Sequence, residues 1–168
     1  MYFTKLIILC NVGFMNKSVN EFTDLTNLHT YQAGVIQTQA HRKLKKEVTN
    51  FLKPYGLTMM EWFALGLIND AQESGARLTE ISSKLQTTLP YTTNLVNGLM
   101  FKGYLTRGID KNDSRAKILR LEPAIQNKCN EIEINIREKM KELIYSKIKP
   151  TELATYLKVL YLIANVKD

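Results

Sequence analysis

The sequence predicts a mainly α fold with one small β-hairpin, and three observations carry that expectation. Apolar residues recur at helical spacing in several segments separated by Pro and Gly. A single pair of short alternating segments, Leu105–Arg107 and Lys117–Leu121, brackets the charged turn formers DKNDSR at 110–115. Just before that pair, two short helical patterns meet at a tight capped turn. Of 168 residues, 45% are apolar and 23% charged, which suits one globular domain with helical extensions and excludes disordered and fibrous classes.

The elements follow in chain order. From Leu25 to Leu52 there is no Pro, and Leu25, Leu28, Val35, Ile36, Leu44, Val48, Phe51 and Leu52 keep a broken helical spacing. KPYG at 53–56 ends that helix. Thr58 caps the next, with Glu61 at the capping-box position and Trp62, Leu65 and Ile68 on one face. After a loop, AQESGAR, Thr79–Leu85 reads as a short helix with Ile81 and Leu85 inward. Gln86 and Thr87 turn, Thr88 caps, and Pro90 occupies the first turn of a helix carrying Leu95, Val96, Leu99 and Met100. Lys102-Gly103 closes it, with Gly at C′. Pro123 opens a long helix with an apolar seam at Ile125, Cys129, Ile132, Ile136, Met140 and Leu143. Pro150 opens the last, with Leu153, Leu157, Leu160 and Ala164 spaced 4, 3, 4.

That order, short helix, turn, helix and hairpin over 79–121, is the order of a winged helix–turn–helix. In such modules the second helix enters the major groove and the hairpin lies on the backbone or in the minor groove. The expected organisation is a loose tail at 1–20, a winged helix–turn–helix region at 56–121, and a helical dimerisation region at 21–52 and 123–168. Three long amphipathic helices at the two chain ends call for a partner surface, and a homodimer is the economical one. Leu25, Leu28, Ile132, Ile136, Met140, Leu143, Leu157 and Leu160 are expected to face it.

The formal charge is +7. Residues 75–121 hold eight basic side chains (Arg77, Lys84, Lys102, Arg107, Lys111, Arg115, Lys117, Arg120) against three acidic ones (Glu80, Asp110, Asp113). Release of counterions makes such a concentration the physical basis of affinity for double-stranded DNA. Lys111 and Lys117, flanking the hairpin tip, are candidate phosphate contacts.

Three stretches, GLTMMEWFALGLI, LTEISSKLQTTLPYTTNLVNGLMFKGYLTR and DKNDSRAKILRLEP, resemble the MarR (multiple antibiotic resistance regulator) family of bacterial transcription factors. The likeness runs from about Val35 to Val166. Its most specific part is the wing, where the family carries Asp-x-Arg and then a strand ending in Leu-x-Pro, here Asp113, Arg115, Leu121 and Pro123. The resemblance implies an obligate homodimer with interleaved terminal helices. It implies a pseudo-palindromic operator, a repressor's role, and relief by a small aromatic or anionic effector or by thiol oxidation. The effector would sit between the dimer-layer helices and the helix carrying Trp62. By position, Arg115 would enter the minor groove, whose narrow A·T-rich form attracts Arg. Asp113 would hold Arg115 by an ion pair. Thr88, Tyr91, Thr92, Thr93 and Asn94 would face the major groove or flanking phosphates.

The chain departs from the family's pattern in one place. No charged residue lies between Leu85 and Phe101, and Asn94 stands where Arg is usual. Asn reads adenine and Thr methyls touch thymine, so an A·T-leaning operator is expected. The same absence of charge motivates the alternative, a winged-helix protein–protein interaction module with weak or no specific DNA binding.

No Gly-rich phosphate loop, GxSxG or His–carboxylate–nucleophile set is present, so no enzyme activity and no cofactor are expected. His29 and His41 stand alone, without the cluster a metal site needs. Trp62 reads as core. Cys129 lies in an apolar seam and reads as an inert thiol. Cys10, near Lys5, is the other thiol and could sense oxidants, as in some relatives. The start, MYFTKLIILCNVGF, has an apolar run too short to span a membrane and no small-residue cleavage site. Residues 1–14 read as a loose tail or a misassigned start upstream of Met15, and the cytoplasm is the expected location.

Overall fold

The computed structural model describes residues 29–110 and 116–166. The chain divides into two units, residues 1–46 and 47–168. Helix α1 (Thr30–Leu52) begins in the first and ends in the second. The expected tail at 1–20, with Cys10 and Met15, and the interface residues Leu25 and Leu28 lie outside the described residues, as do Lys111, Asp113 and Arg115.

In the second unit, a 3-10 turn at Lys53–Tyr55 and Gly56, at φ 65, end α1 as KPYG predicts. Helix α2 (Met59–Asp70) starts on a complete capping box: Thr58 N–H donates to Glu61 Oε2 at 2.8 Å, and Glu61 N–H donates to Thr58 Oγ1 at 3.2 Å. Strand β1 (Ala76–Arg77) leads into α3 (Leu78–Lys84), and α4 (Leu89–Phe101) follows a four-residue turn. Strands β2 (Leu105–Ile109) and β3 (Lys117–Leu121) form the hairpin. Helix α5 (Pro123–Leu143) and helix α6 (Pro150–Ala164) complete the chain. Among the described residues no helix is long and apolar enough to cross a membrane.

Helix α4 ends in a Schellman motif. Gly103, at φ 74, donates to the Met100 carbonyl at 3.0 Å, and Tyr104 donates to the Leu99 carbonyl at 2.9 Å. The chain therefore reverses directly into β2, and the hairpin is set against α4 by a turn of fixed geometry. Helix α2 packs on α3, α4 and β3, burying Leu65, Ile68, Ile81, Leu99 and Leu119 almost completely. Trp62 is half-buried at the edge of this core, and Leu85, expected inward, is also only half-buried.

The sheet has three strands in the order β1-β3-β2, all antiparallel, where a hairpin alone was expected. The segment AQESGAR is not loop throughout, because Ala76 pairs with Leu119 and Arg77 with Ile118. Gly75 makes the approach possible. At φ 69, a Cβ there would sit 2.9 Å from the Leu119 carbonyl oxygen, so only Gly brings the chain close enough to pair.

A second correction concerns the seam of α5. Ile132, Ile136 and Met140, expected to face a partner, are 0%, 7% and 7% exposed within the single chain. The seam's spacing of 4, 3, 4, 4, 3 marks an apolar stripe but does not say which chain buries it. Leu143, Leu157 and Leu160 are exposed, and α6 buries none of its residues. Cys129 is buried in the seam, and that burial pushes its thiol pKa up while nearby Lys128 opposes the rise. Such a thiol stays protonated and unreactive.

Candidate nucleic-acid interface

The turn between α3 and α4 is built from hydroxyls. Ser82 Oγ donates to the Thr87 carbonyl at 2.7 Å, and Thr87 N–H donates back to the Ser82 carbonyl at 3.0 Å. Thr87 Oγ1 and Thr92 Oγ1 lie 2.9 Å apart, and Thr92 Oγ1 also reaches the Thr88 carbonyl at 3.1 Å. Gln86, at φ 50, takes the left-handed residue the turn needs. Thr88 caps α4 through a 3.4 Å bond from Tyr91 N–H. These bonds fix the angle between the two helices from inside the turn.

Thr92 is therefore not a groove-facing residue. Its side chain is fully buried (0% exposed), and both of its hydroxyl bonds are internal. Thr93 is half-buried, with its hydroxyl bonded to the Leu89 carbonyl at 2.8 Å. Thr88, Tyr91 and Asn94 are exposed. Asn97, one turn beyond Asn94, is exposed on the same side, and Arg107 Nη2 on β2 donates to its Oδ1 at 3.4 Å. The three-residue spacing from Asn94 was a sufficient signal for Asn97. Nothing local signalled Arg107.

Among the described basic residues of this region, Arg77 and Lys102 have acidic partners. Arg77 binds Asp110 through Nε at 3.1 Å and Nη2 at 2.7 Å, both to Oδ2. Lys102 Nζ contacts both Glu61 carboxylate oxygens, at 2.7 and 2.9 Å, and donates to the Gly56 carbonyl at 2.8 Å. Burial alone would raise the Glu61 pKa. The Lys102 ammonium and the Thr58 N–H and hydroxyl outweigh it and hold the carboxyl below its ordinary value. Arg120 Nε donates to the Glu73 carbonyl at 3.0 Å, so the wing's return strand is tied to the turn before β1. Lys117, the first residue of β3 beside the wing tip, is exposed.

An open cavity of about 370 Å³ borders α2, with Trp62, Phe63, Leu67 and Asp70 on one side and Lys84, Leu85 and Glu133 around it. Among the described residues no group of three or more His, Cys, Asp or Glu is placed to hold a metal ion.

A helix–turn–helix locked by buried hydroxyls, followed by a three-stranded wing tied back at both strands, defines a winged helix–turn–helix protein. A model of the MarR family matches residues 57–117 of the chain. The HTH-type transcriptional regulator BilQ of Clostridioides difficile (strain CD3) is 27% identical over 144 residues, covering 86% of this chain and 95% of that protein. CouR from Rhodococcus jostii RHA1, solved bound to p-coumaroyl-CoA, superposes with a TM-score of 0.74 at 17% identity, over 87% of this chain and 98% of CouR. MepR of S. aureus, solved as a DNA complex, has a TM-score of 0.66 at 22% identity, over 82% and 99% of the two chains.

Proposed function

We propose that this regulator is a homodimeric, cytoplasmic repressor that binds a pseudo-palindromic operator in double-stranded DNA and is released by a small aromatic or anionic effector. The observation that carries the proposal is the outer face of α4. Tyr91, Asn94 and Asn97 are exposed there, on a helix whose turn and cap are locked from beneath. Amides at 94 and 97 suit adenine, and Tyr91 and Thr88 suit flanking phosphate. Residues 56–121 would form the reading unit. Residues 21–52 and 123–168 would form the dimer layer, through Leu143, Leu157, Leu160 and the segment containing Leu25 and Leu28. Arg115 would enter the minor groove, held by Asp113, with Lys111 and Lys117 on phosphates.

The cavity beside Trp62 and Phe63 supports a flat, aromatic effector, since two aromatic rings line it; Lys84 stands there with the carboxylates of Asp70 and Glu133, so the lining does not by itself select an anion. CouR, solved with p-coumaroyl-CoA, supports ligand response. One observation favours the second reading, a protein–protein module: Phe101, at the end of the uncharged α4, is 94% exposed.

In-vitro selection of bound duplexes, followed by titration at several salt concentrations, separates the two. A DNA-binding repressor enriches an inverted repeat and loses affinity steeply with salt. Arg115→Ala should flatten the salt slope by about one unit. Absence of an enriched motif, with salt-insensitive or absent binding, would favour the interaction module instead.

A further inference from the structure

The chain's densest run of positive charge lies outside the winged helix, on α1. HRKLKK at 41–46 places Arg42, Lys43, Lys45 and Lys46 on the helix surface, all exposed, and Lys53 is exposed just beyond the helix end. From His41 to Lys53 Glu47 is the sole acidic residue. The helix is divided lengthwise. Leu44 and Val48 are half-buried and Leu52 is fully buried, four residues apart on one side. At 3.6 residues per turn, Arg42, Lys43 and Lys46 fall on the opposite side, and Lys45 flanks the apolar side.

Like charges three and four residues apart repel on a helix. Arg42 with Lys45 and Lys46, and Lys43 with Lys46, are such neighbours. The arrangement works against helix formation until an anion lies along it. Within the winged helix, α4 carries no charge, and Arg77 and Lys102 are engaged with Asp110 and Glu61. Part of the positive charge there is therefore used internally, while Arg42, Lys45 and Lys46 of α1 are exposed.

We propose that the basic face of α1 is a second phosphate-contacting surface, which adds non-specific affinity for DNA to the reading done by α4 and the wing. The inference rests on the DNA-binding reading above. Nucleic acid is favoured over an anionic membrane because a membrane-surface helix needs a free apolar face to enter the lipid. Here the face opposite the charge ends in Leu52, which is 0% exposed.

The test compares the full chain with the triple variant Arg42→Gln, Lys45→Gln, Lys46→Gln, since Gln keeps helix propensity while removing charge. Binding to a selected duplex is titrated between about 50 and 300 mM salt, with thermal melting alongside. Each lost phosphate contact lowers the salt slope by about 0.9, so a fall of about two to three units per protomer is expected, with at least about tenfold weaker binding at low salt. Base preference should not change, and the melting temperature should hold or rise slightly, because like-charge repulsion along the helix is relieved. An unchanged slope and affinity would overturn the second surface. So would intact DNA binding combined with lost binding to phosphatidylserine-containing vesicles, which would assign the face to lipid. Failure of the unmodified chain to bind any duplex is a separate result, which removes the DNA-binding reading itself.

Discussion

Lys102 Nζ bridges both oxygens of the Glu61 carboxylate, at 2.7 and 2.9 Å, and thereby joins the C-cap of α4 to the N-cap of α2. Glu61 also closes the capping box of α2, so one carboxylate holds the start of a core helix and the end of the candidate reading helix. Lys102→Ala should cost about 1–3 kcal/mol, because a mostly buried carboxylate keeps its desolvation penalty and loses its cation. Denaturant melts at neutral pH check this. The pH dependence follows from the sign of the shift. The folded Glu61 titrates below its ordinary value of 4.5, so its contribution is complete above that value and is lost as pH falls through the folded pKa. The Lys102→Ala chain should lose less stability over that acid range than the parent does. Parallel pH–stability curves for the two would count against the role assigned to Lys102.

The Arg77–Asp110 pair makes a different kind of prediction. Its side chains are 41% and 15% exposed, so its contribution to global stability is small, on the order of 1 kcal/mol or less. Its position matters more, because Arg77 lies in β1 and Asp110 is the last described residue before the wing tip. Asp110→Asn raises the net positive charge, so a purely electrostatic account predicts tighter DNA binding. A positioning account predicts binding weakened several-fold, because the tip would leave β2 at an unfixed angle. Titration of that variant on a selected duplex separates the two accounts, and the exchange Arg77→Asp with Asp110→Arg should restore part of the loss.

Much of this architecture was legible because its signals are local. Thr58 with Glu61, Thr88 with Pro90, and Lys102-Gly103 are caps readable within a few residues, and the structure builds each one. The wing strands are legible for the same reason, as alternation on either side of a turn cluster. What escaped depends on partners far along the chain. Strand β1 is two residues long and exists only because β3, 43 positions away at the Ala76–Leu119 pair, accepts it through the gap left by Gly75. Arg77 and Lys102 counted as free charge until Asp110 and Glu61, 33 and 41 residues distant, met them. Thr92 looked like one more polar residue on an outward face, and its burial follows from the hydroxyl pair with Thr87, which periodicity does not encode.

Thr92 and Asn94 should consequently separate in mutagenesis. Thr92→Val removes the hydroxyl bonded to Thr87 and the Thr88 carbonyl while nearly preserving shape. The expected cost is about 1 kcal/mol of stability, with base preference unchanged. Asn94 is exposed at the centre of α4, so Asn94→Ala should leave melting unchanged and alter which sequences are enriched by selection. Reversed phenotypes would mean that the outer face of α4 is not the reading face.

Helix α6 carries the prediction on assembly. Leu157 and Leu160 are exposed together with Tyr156, Val159 and Leu162, and no residue of the helix is buried within the chain. An apolar helix left this open gains stability chiefly by burying its face against another surface. A second copy of the same helix region is the partner proposed for it. Replacing Leu157 and Leu160 together with Lys places two charges in that contact, where like charges from both protomers would have to be desolvated. Light scattering should then report a monomer in place of a dimer. The effect on DNA should be large as well, because two half-sites are bound together only while the protomers are linked. A monomeric variant that kept full affinity for an inverted repeat would show that a single winged helix suffices, and a variant that remained dimeric would move the interface away from α6.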